Sequence, residues 1–431
     1  MDRKYYRGSI LHFTAEPDVE GNGMEFHEDG LLITIDGHIE AAGDYAALKH
    51  VINDDSPVHD YRGHLIVPGF IDTHIHFPQL DVVASYGEQL LDWLNNYTFP
   101  AEQRFADEDY ANLVAEKFLD ELLRCGTTTA MAYATVHPQS VQAFFRASQK
   151  RNTRMISGKV LMDRNAPEAL SDSAESGYAE SSQLIEQWHG NGRQLYAVTP
   201  RFAPTSTPQQ LLGAGELLSR YEGVYLQTHL SENVDEIAWV KSLFPERSSY
   251  VDVYDHYGLL GERSVFGHGI HLDDDEISRL RATGSSIAFC PTSNLFLGSG
   301  LLDVRRLKEQ QVTVSIASDI GAGTSFCALQ TLNEAYKIMQ LQGQSLHPYQ
   351  AFYWLTLGNA KSLRLDHLLG NFEAGKEADF LILDMCATPL LKYRSEQTSS
   401  LLEKLFLLMM LGDDRVIAKT YIGSRLLHSR D

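Results

Sequence analysis

Two histidines one residue apart, His74 and His76, close the apolar run in PGFIDTHIHFPQ at residues 68–79. Side chains alternate along an extended strand, so an H-x-H pair at a strand end offers two imidazole nitrogens on one side to a single metal ion. Alone the pair would carry little weight. Here, however, His229 ends GVYLQTHL, His268 ends SVFGH and Asp319 ends VTVSIASD, so five metal-ligating side chains close four strand-like runs, which core packing does not explain. Three neutral imidazoles and a carboxylate suit a divalent transition metal, and an incompletely filled shell leaves room to activate water for hydrolysis. Glu232, three residues after His229 in THLSEN, is placed to carry protons, although S-E-N-V-D-E-I also opens a helix-like stretch where acidic residues are favoured. His271 in GHGIHL is a rival to His268, but it precedes the helix-start sequence LDDDE, whereas His268 closes a strand.

The elements that must position these residues alternate in type. From about residue 65 to 325, short β-rich runs are separated by helix-like stretches, the rhythm of a parallel α/β fold. The strand candidates are FIDTHIH, TTTAMAYAT, MISGKVLMD, QLYAVTPRF, VYLQTHLSE, SVFGHG, SIAFCPTSN and TVSIASDIG. Eight such runs close a (β/α)8 TIM-type barrel, whose functional residues lie at the C-terminal strand ends, where the histidines and Asp319 fall. An open doubly wound sheet would gather its site at one switch point instead. The flanks are β-like: residues 26–45 contain two strands around an Asp-Gly turn, and FLILDM and VIAKTYIGSRLL lie near the other end. The expected organisation is a small β-sandwich domain from residues 1–66 and 374–431 beside a barrel over 67–373, with helices across 328–365.

Composition narrows the partners. A formal charge of −21, with no compensating Lys/Arg cluster, argues against nucleic acid and anionic membranes, and favours a neutral small molecule. No run has membrane-spanning length and MDRKYYRGSILHF lacks a signal-peptide pattern, so a cytoplasmic protein is expected. The four cysteines, Cys125, Cys290, Cys327 and Cys386, are far apart in sequence and read as small buried hydrophobes.

The series PGFIDTHIH, THLSEN, FGHG and SDIG resembles the amidohydrolase superfamily. Finer motifs, HIHFPQ, LLDWLNNYTFPAEQRF, GTTTA, GKVLMD, TPRFAPTS, CPTSNLFLGSG and GNFEAGKEADF, resemble the branch of it that hydrolyses guanine to xanthine and ammonia. The resemblance runs from about residue 62 to the end. It implies one zinc ion per chain, with iron as the alternative, held by His74, His76, His229 and Asp319. It also implies Glu232 as proton relay, His268 beside the activated water, and a homodimer. Two-metal relatives carry a carboxylated lysine on the fourth strand; VTPRF ends instead on Arg201 and Phe202, which argues against a second metal. Lys159, within the third strand, reads as a supporting residue. Arg201 has the planar fork to read the adjacent O6 and N7 acceptors of guanine, which adenine cannot offer. The family pattern brings Gln79 to the purine as well, and His76, His229 and Glu232 border the same substrate. Phe202 and Trp93 are candidates for its apolar walls. Asn294 and Cys290, at the seventh strand end, border the pocket without an assigned role. Another amino-heterocycle, such as a pterin, triazine, cytosine or oxidised guanine, is the alternative substrate.

Overall fold

The barrel strands are buried along nearly their whole length, which is why they read as continuous apolar runs rather than as an alternating pattern. In the computed structural model, which describes residues 2–52, 57–86 and 89–430, they are Phe70–His76, Thr127–Tyr133, Arg154–Gly158, Leu195–Pro200, Tyr225–Leu230, Ser264–His268, Ser286–Phe289 and Thr313–Ile316. Each pairs in parallel with the next, and the third resumes as Val160–Leu161 after a break at Lys159. The seam between last and first is closed by site residues themselves: the Asp319 N–H donates to the His74 carbonyl (2.9 Å) and the His76 N–H to that of Ile320 (2.7 Å). Helices cover the outside. Glu108–Arg124 is typical, capped by the Asp107 carboxylate accepting from Tyr110 N–H, with Val114, Phe118 and Leu122 buried.

Both ends of the chain contribute to a separate seven-stranded sheet in the order Arg425–Ser429, Ile417–Ile422, Phe380–Leu383, Val58–Pro68, Arg3–Phe13, Met24–Ile35, His38–Asp44. It curls on itself as a sandwich does, with Tyr6, Leu32, Ile66, Phe380, Ile382 and Ala418 in one core cluster. The Asp36-Gly37 hairpin turn, with φ of 49° and 84°, meets Gly423 near the opposite edge, and a Cβ on Gly37 would lie 3.3 Å from the Gly423 carbonyl oxygen.

Four features differ from expectation. The eighth strand stops at Ile316 instead of running through TVSIASDIG, so Asp319 lies three residues beyond it rather than at its end. The seventh strand is shorter than SIAFCPTSN because Pro291, favoured in a first helical turn, starts the helix Pro291–Phe296. Cys386 is exposed, in the turn after Phe380–Leu383, whereas Cys125, Cys290 and Cys327 are buried as read. The edge helices Pro389–Ser395 and Leu401–Leu411 went unrecognised between the two C-terminal β-runs. No helix among the described residues is long and apolar enough to cross a membrane.

Candidate active site

His74, His76, His229 and Asp319 converge at the C-terminal mouth of the barrel, their ligand atoms all within 4.8 Å of one another. His74 Nε2 and His76 Nε2 lie 3.3 and 3.2 Å from Asp319 Oδ1, and His229 Nε2 lies 3.3 Å from His76 Nε2. His229 Nδ1 is 2.7 Å from the Arg201 carbonyl oxygen, so the ring proton sits on Nδ1 and the Nε2 lone pair faces the cluster. Neither ring nitrogen of buried His74 has a hydrogen-bond partner of acceptable geometry. Buried polar atoms are seldom left this way, and a cation among these donors would satisfy them. Burial lowers the His76 pKa to about 4 and that of His229 well below the usual imidazole value, keeping both neutral at pH 7. Burial alone would raise Asp319, but the ring nitrogens of His74 and His76 set against its Oδ1, with His268 beside them, hold it well below the usual carboxylate range. The donor set is therefore three imidazoles, two of them held neutral by burial, and a carboxylate.

His268 belongs to a different part of the site. Asn294 Nδ2, which can only donate, is 2.9 Å from His268 Nδ1, so the ring presents Nε2–H rather than a lone pair to the interior. That Nε2 lies 3.3 Å from Glu232 Oε2 and 3.9 Å from Asp319 Oδ2. Burial brings the His268 pKa down to about 3. Glu232 is pushed the opposite way, well above the usual carboxyl value, by burial and then by the charges of Asp319 and Glu236; Ser299 Oγ donates to its Oε1 at 3.0 Å. The site thus pairs a proton-holding carboxyl with a proton-accepting one. Ser231, His268 and Asp319 all have left-handed backbone (φ of 47°, 77° and 52°), a conformation costing a non-glycine residue about 1–3 kcal/mol and concentrated at functional sites.

A narrow cavity opens beside these groups and is lined by His76, Gln79, Trp93, Arg201, Phe202 and His229 together with Glu232, His268 and Asp319. Its far wall comes from residues 77–106, the connection between the first and second barrel strands, through Gln79, Leu90, Trp93, Leu94 and Thr98. A π-helical turn, Leu94–Thr98, aims two of these inward. Trp93 is edge-on to Phe296 (5.5 Å between centroids) and Phe202 to Trp239 (6.0 Å). Both aromatics are therefore core and cavity wall at once.

Every residue singled out for the metal or the substrate borders this space or the metal cluster. Lys159 does not: it is buried in an ion pair with Asp172, with Glu180 at 3.4 Å. His271 is exposed and contacts the Ser299 carbonyl at 3.0 Å. Cys290 joins His74, His268 and Asp319 in a second close grouping, with its thiol raised well above its usual value by burial. Sequence reading missed Glu102, Ser299 and Glu236. Glu102 receives both contacts of Arg201 Nη1, at 2.9 and 2.8 Å. Glu236 accepts from Glu232 N–H (2.9 Å), Asn233 N–H (3.1 Å) and Tyr250 OH (2.8 Å), fixing the turn that carries Glu232. The N-cap pattern N-V-D-E was the available signal for Glu236.

Residues 65–427 match the amidohydrolase family. Guanine deaminase of Escherichia coli is 54% identical over 431 residues, 99% of this chain and 98% of that one. The solved E. coli guanine deaminase structure aligns with a TM-score of 0.98 over 99% of this chain and 100% of its own. Guanine deaminase of Homo sapiens is 34% identical over 438 residues, 97% of this chain and 95% of that one. A crystal structure of guanine deaminase from C. acetobutylicum with guanine bound in the active site is 29% identical, with a TM-score of 0.90 over 99% of this chain and 100% of that one.

Proposed function

We propose that this chain, which belongs to the amidohydrolase family, deaminates guanine hydrolytically, giving xanthine and ammonia. The observation that carries the reading is that Arg201 and Gln79 line the same cavity as Glu232, His268 and Asp319, so that directed N–H donors and a proton-transfer set border one small space. His74, His76, His229 and Asp319 would hold one zinc ion, with iron as the alternative, since neutral imidazoles and a carboxylate suit either. When bound, that ion supplies an acidified water and a Lewis acid. The rest of the chemistry falls to the chain. Arg201 donates to O6 and N7 of the purine, and Gln79 adds an N–H, since its carbonyl oxygen already accepts from Gly321 N–H at 3.2 Å. Phe202 and Trp93 border the ring faces and exclude water. Glu232 enters the reaction protonated and gives its proton to N3 as water adds at C2. Ionised, it then takes the hydroxyl proton left on C2 and passes it to the amino group, so the C2–N bond breaks and ammonia leaves as the C2 carbonyl forms. The water proton held by Asp319 returns to Glu232. Asp319, held ionised, accepts the proton of the adding water, and His268 orients it through Nε2–H. The working form is a cytoplasmic homodimer, a reading supported by the family resemblance, while the charge of −21 disfavours nucleic-acid and anionic-membrane partners.

Incubating the purified, metal-loaded protein with guanine, adenine, cytosine, a pterin and an amino-triazine, and following ammonia, tests the reading. Guanine is expected to be turned over far faster than the others. Ammonia release from a pterin or cytosine with none from guanine would reject guanine as substrate.

A further inference from the structure

Arg201 is neutralised before any ligand arrives. Its Nη1 donates to both oxygens of Glu102, whose side chain is 1% exposed against 3% for Arg201, and Gln79 Nε2 donates to Glu102 Oε1 at 3.3 Å. The guanidinium carbon lies 5.4 Å from the centre of the Phe99 ring, within the same short helix, Phe99–Gln103, that carries Glu102. One carboxylate thus fixes the orientation of both polar groups on the purine side of the cavity. It also cancels the single cationic side chain among the described cavity-lining residues; the other ionisable groups among them are the carboxyls Glu232, Glu236 and Asp319 and neutral histidines. A buried guanidinium without a counter-ion would draw in any planar anion.

We infer that Glu102 is a positioning and specificity-determining residue: it aims Arg201 and Gln79 and removes their net charge, so the pocket takes a neutral oxo-purine and excludes its anionic, more oxidised relatives. The inference rests on the guanine reading for what Arg201 faces and for the kinetic arm of its test; the comparison of urate with hypoxanthine does not need it. Calorimetric binding of urate, an anion at neutral pH, and of hypoxanthine, its neutral counterpart, is measured on metal-loaded wild type, Glu102→Gln and Glu102→Asp, with metal content and melting temperature recorded for each. In Glu102→Gln, which leaves Arg201 uncompensated, urate is expected to gain about tenfold or more in affinity relative to hypoxanthine. In Glu102→Asp, which keeps the charge but shortens the reach, urate stays excluded while the guanine KM rises severalfold with kcat little changed, a split that loss of stability would not produce. An unchanged urate-to-hypoxanthine ratio in folded Glu102→Gln, or an unaltered guanine KM in Glu102→Asp, overturns the inference. Failure of the wild type to deaminate guanine would instead strike the substrate reading, and the two-ligand comparison would still decide whether Glu102 governs charge selection.

Discussion

What separates the histidines of this site is the partner on the far nitrogen. The Arg201 carbonyl accepts from His229 Nδ1–H and turns a lone pair inward, whereas Asn294 donates to His268 Nδ1 and turns an N–H inward. By residue type both are imidazoles closing apolar runs, so their positions were legible from the residues while their different duties came only from the family resemblance. Glu232 is the residue on which turnover depends most. Glu232→Gln keeps its shape and removes its transferable proton, so kcat is expected to fall by about 10²–10⁴ with metal content unchanged. Elemental analysis and ammonia release on the same sample check this; near-normal turnover would leave Glu232 as a helix-start residue only. Glu102 was not legible because it sits in the polar stretch PAEQRF, where nothing marks a carboxylate for burial. Its burial follows from a tertiary partner ninety-nine positions away.

At the scale of elements, the barrel's closing seam and the metal cluster are one structure. Asp72, buried and raised by burial to about 6, accepts from His74 N–H at 3.1 Å and from Ser318 N–H at 3.2 Å, tying the first strand to the residue before Asp319. A supporting residue of this kind typically accounts for about 10–100-fold in metal affinity. Asp72→Asn is therefore expected to weaken metal binding by that range in a chelator competition while the far-ultraviolet dichroism stays native; unchanged affinity would confine Asp72 to barrel packing. The eight barrel strands were readable because burial on both faces writes them as apolar runs. Arg3–Phe13 was not, since its opening RKYYRG is charged and aromatic, and it pairs with segments on both sides of it in space rather than with a sequence neighbour alone. Residues 77–86 and 89–106, short helical segments interrupted by a π-helical turn, carry no period long enough to announce themselves as the cavity wall.

At the scale of the molecule, barrel and terminal sheet are clasped by buried charges. Arg154 and Arg193 both pair with Glu377, Arg193 also pairs with Asp379, and Asp379 Oδ1 accepts from Gly423 N–H at 2.8 Å. Burial would raise Glu377, but the two arginines outweigh it and hold its pKa below the usual 4.5. A carboxylate depressed in the folded state stabilises fully above its unfolded pKa and loses that contribution as pH falls through the folded value. Glu377→Gln should accordingly lower stability by about 2–4 kcal/mol at about pH 7 and by less below about pH 4. Melting curves of the two proteins should converge on acidification; a gap constant across the range would remove the clasp from the acid sensitivity. Where the chain's ends meet was legible from their β-like runs, but this clasp was not, because its four members are scattered over residues 154–379.

Running the reaction in oxygen-18 water and weighing the products shows whether this site adds water to C2 of guanine and releases the amino group. One labelled oxygen in each xanthine and one ammonia per guanine consumed is the expected result. Xanthine without the label, or guanine consumed without matching ammonia, would contradict it.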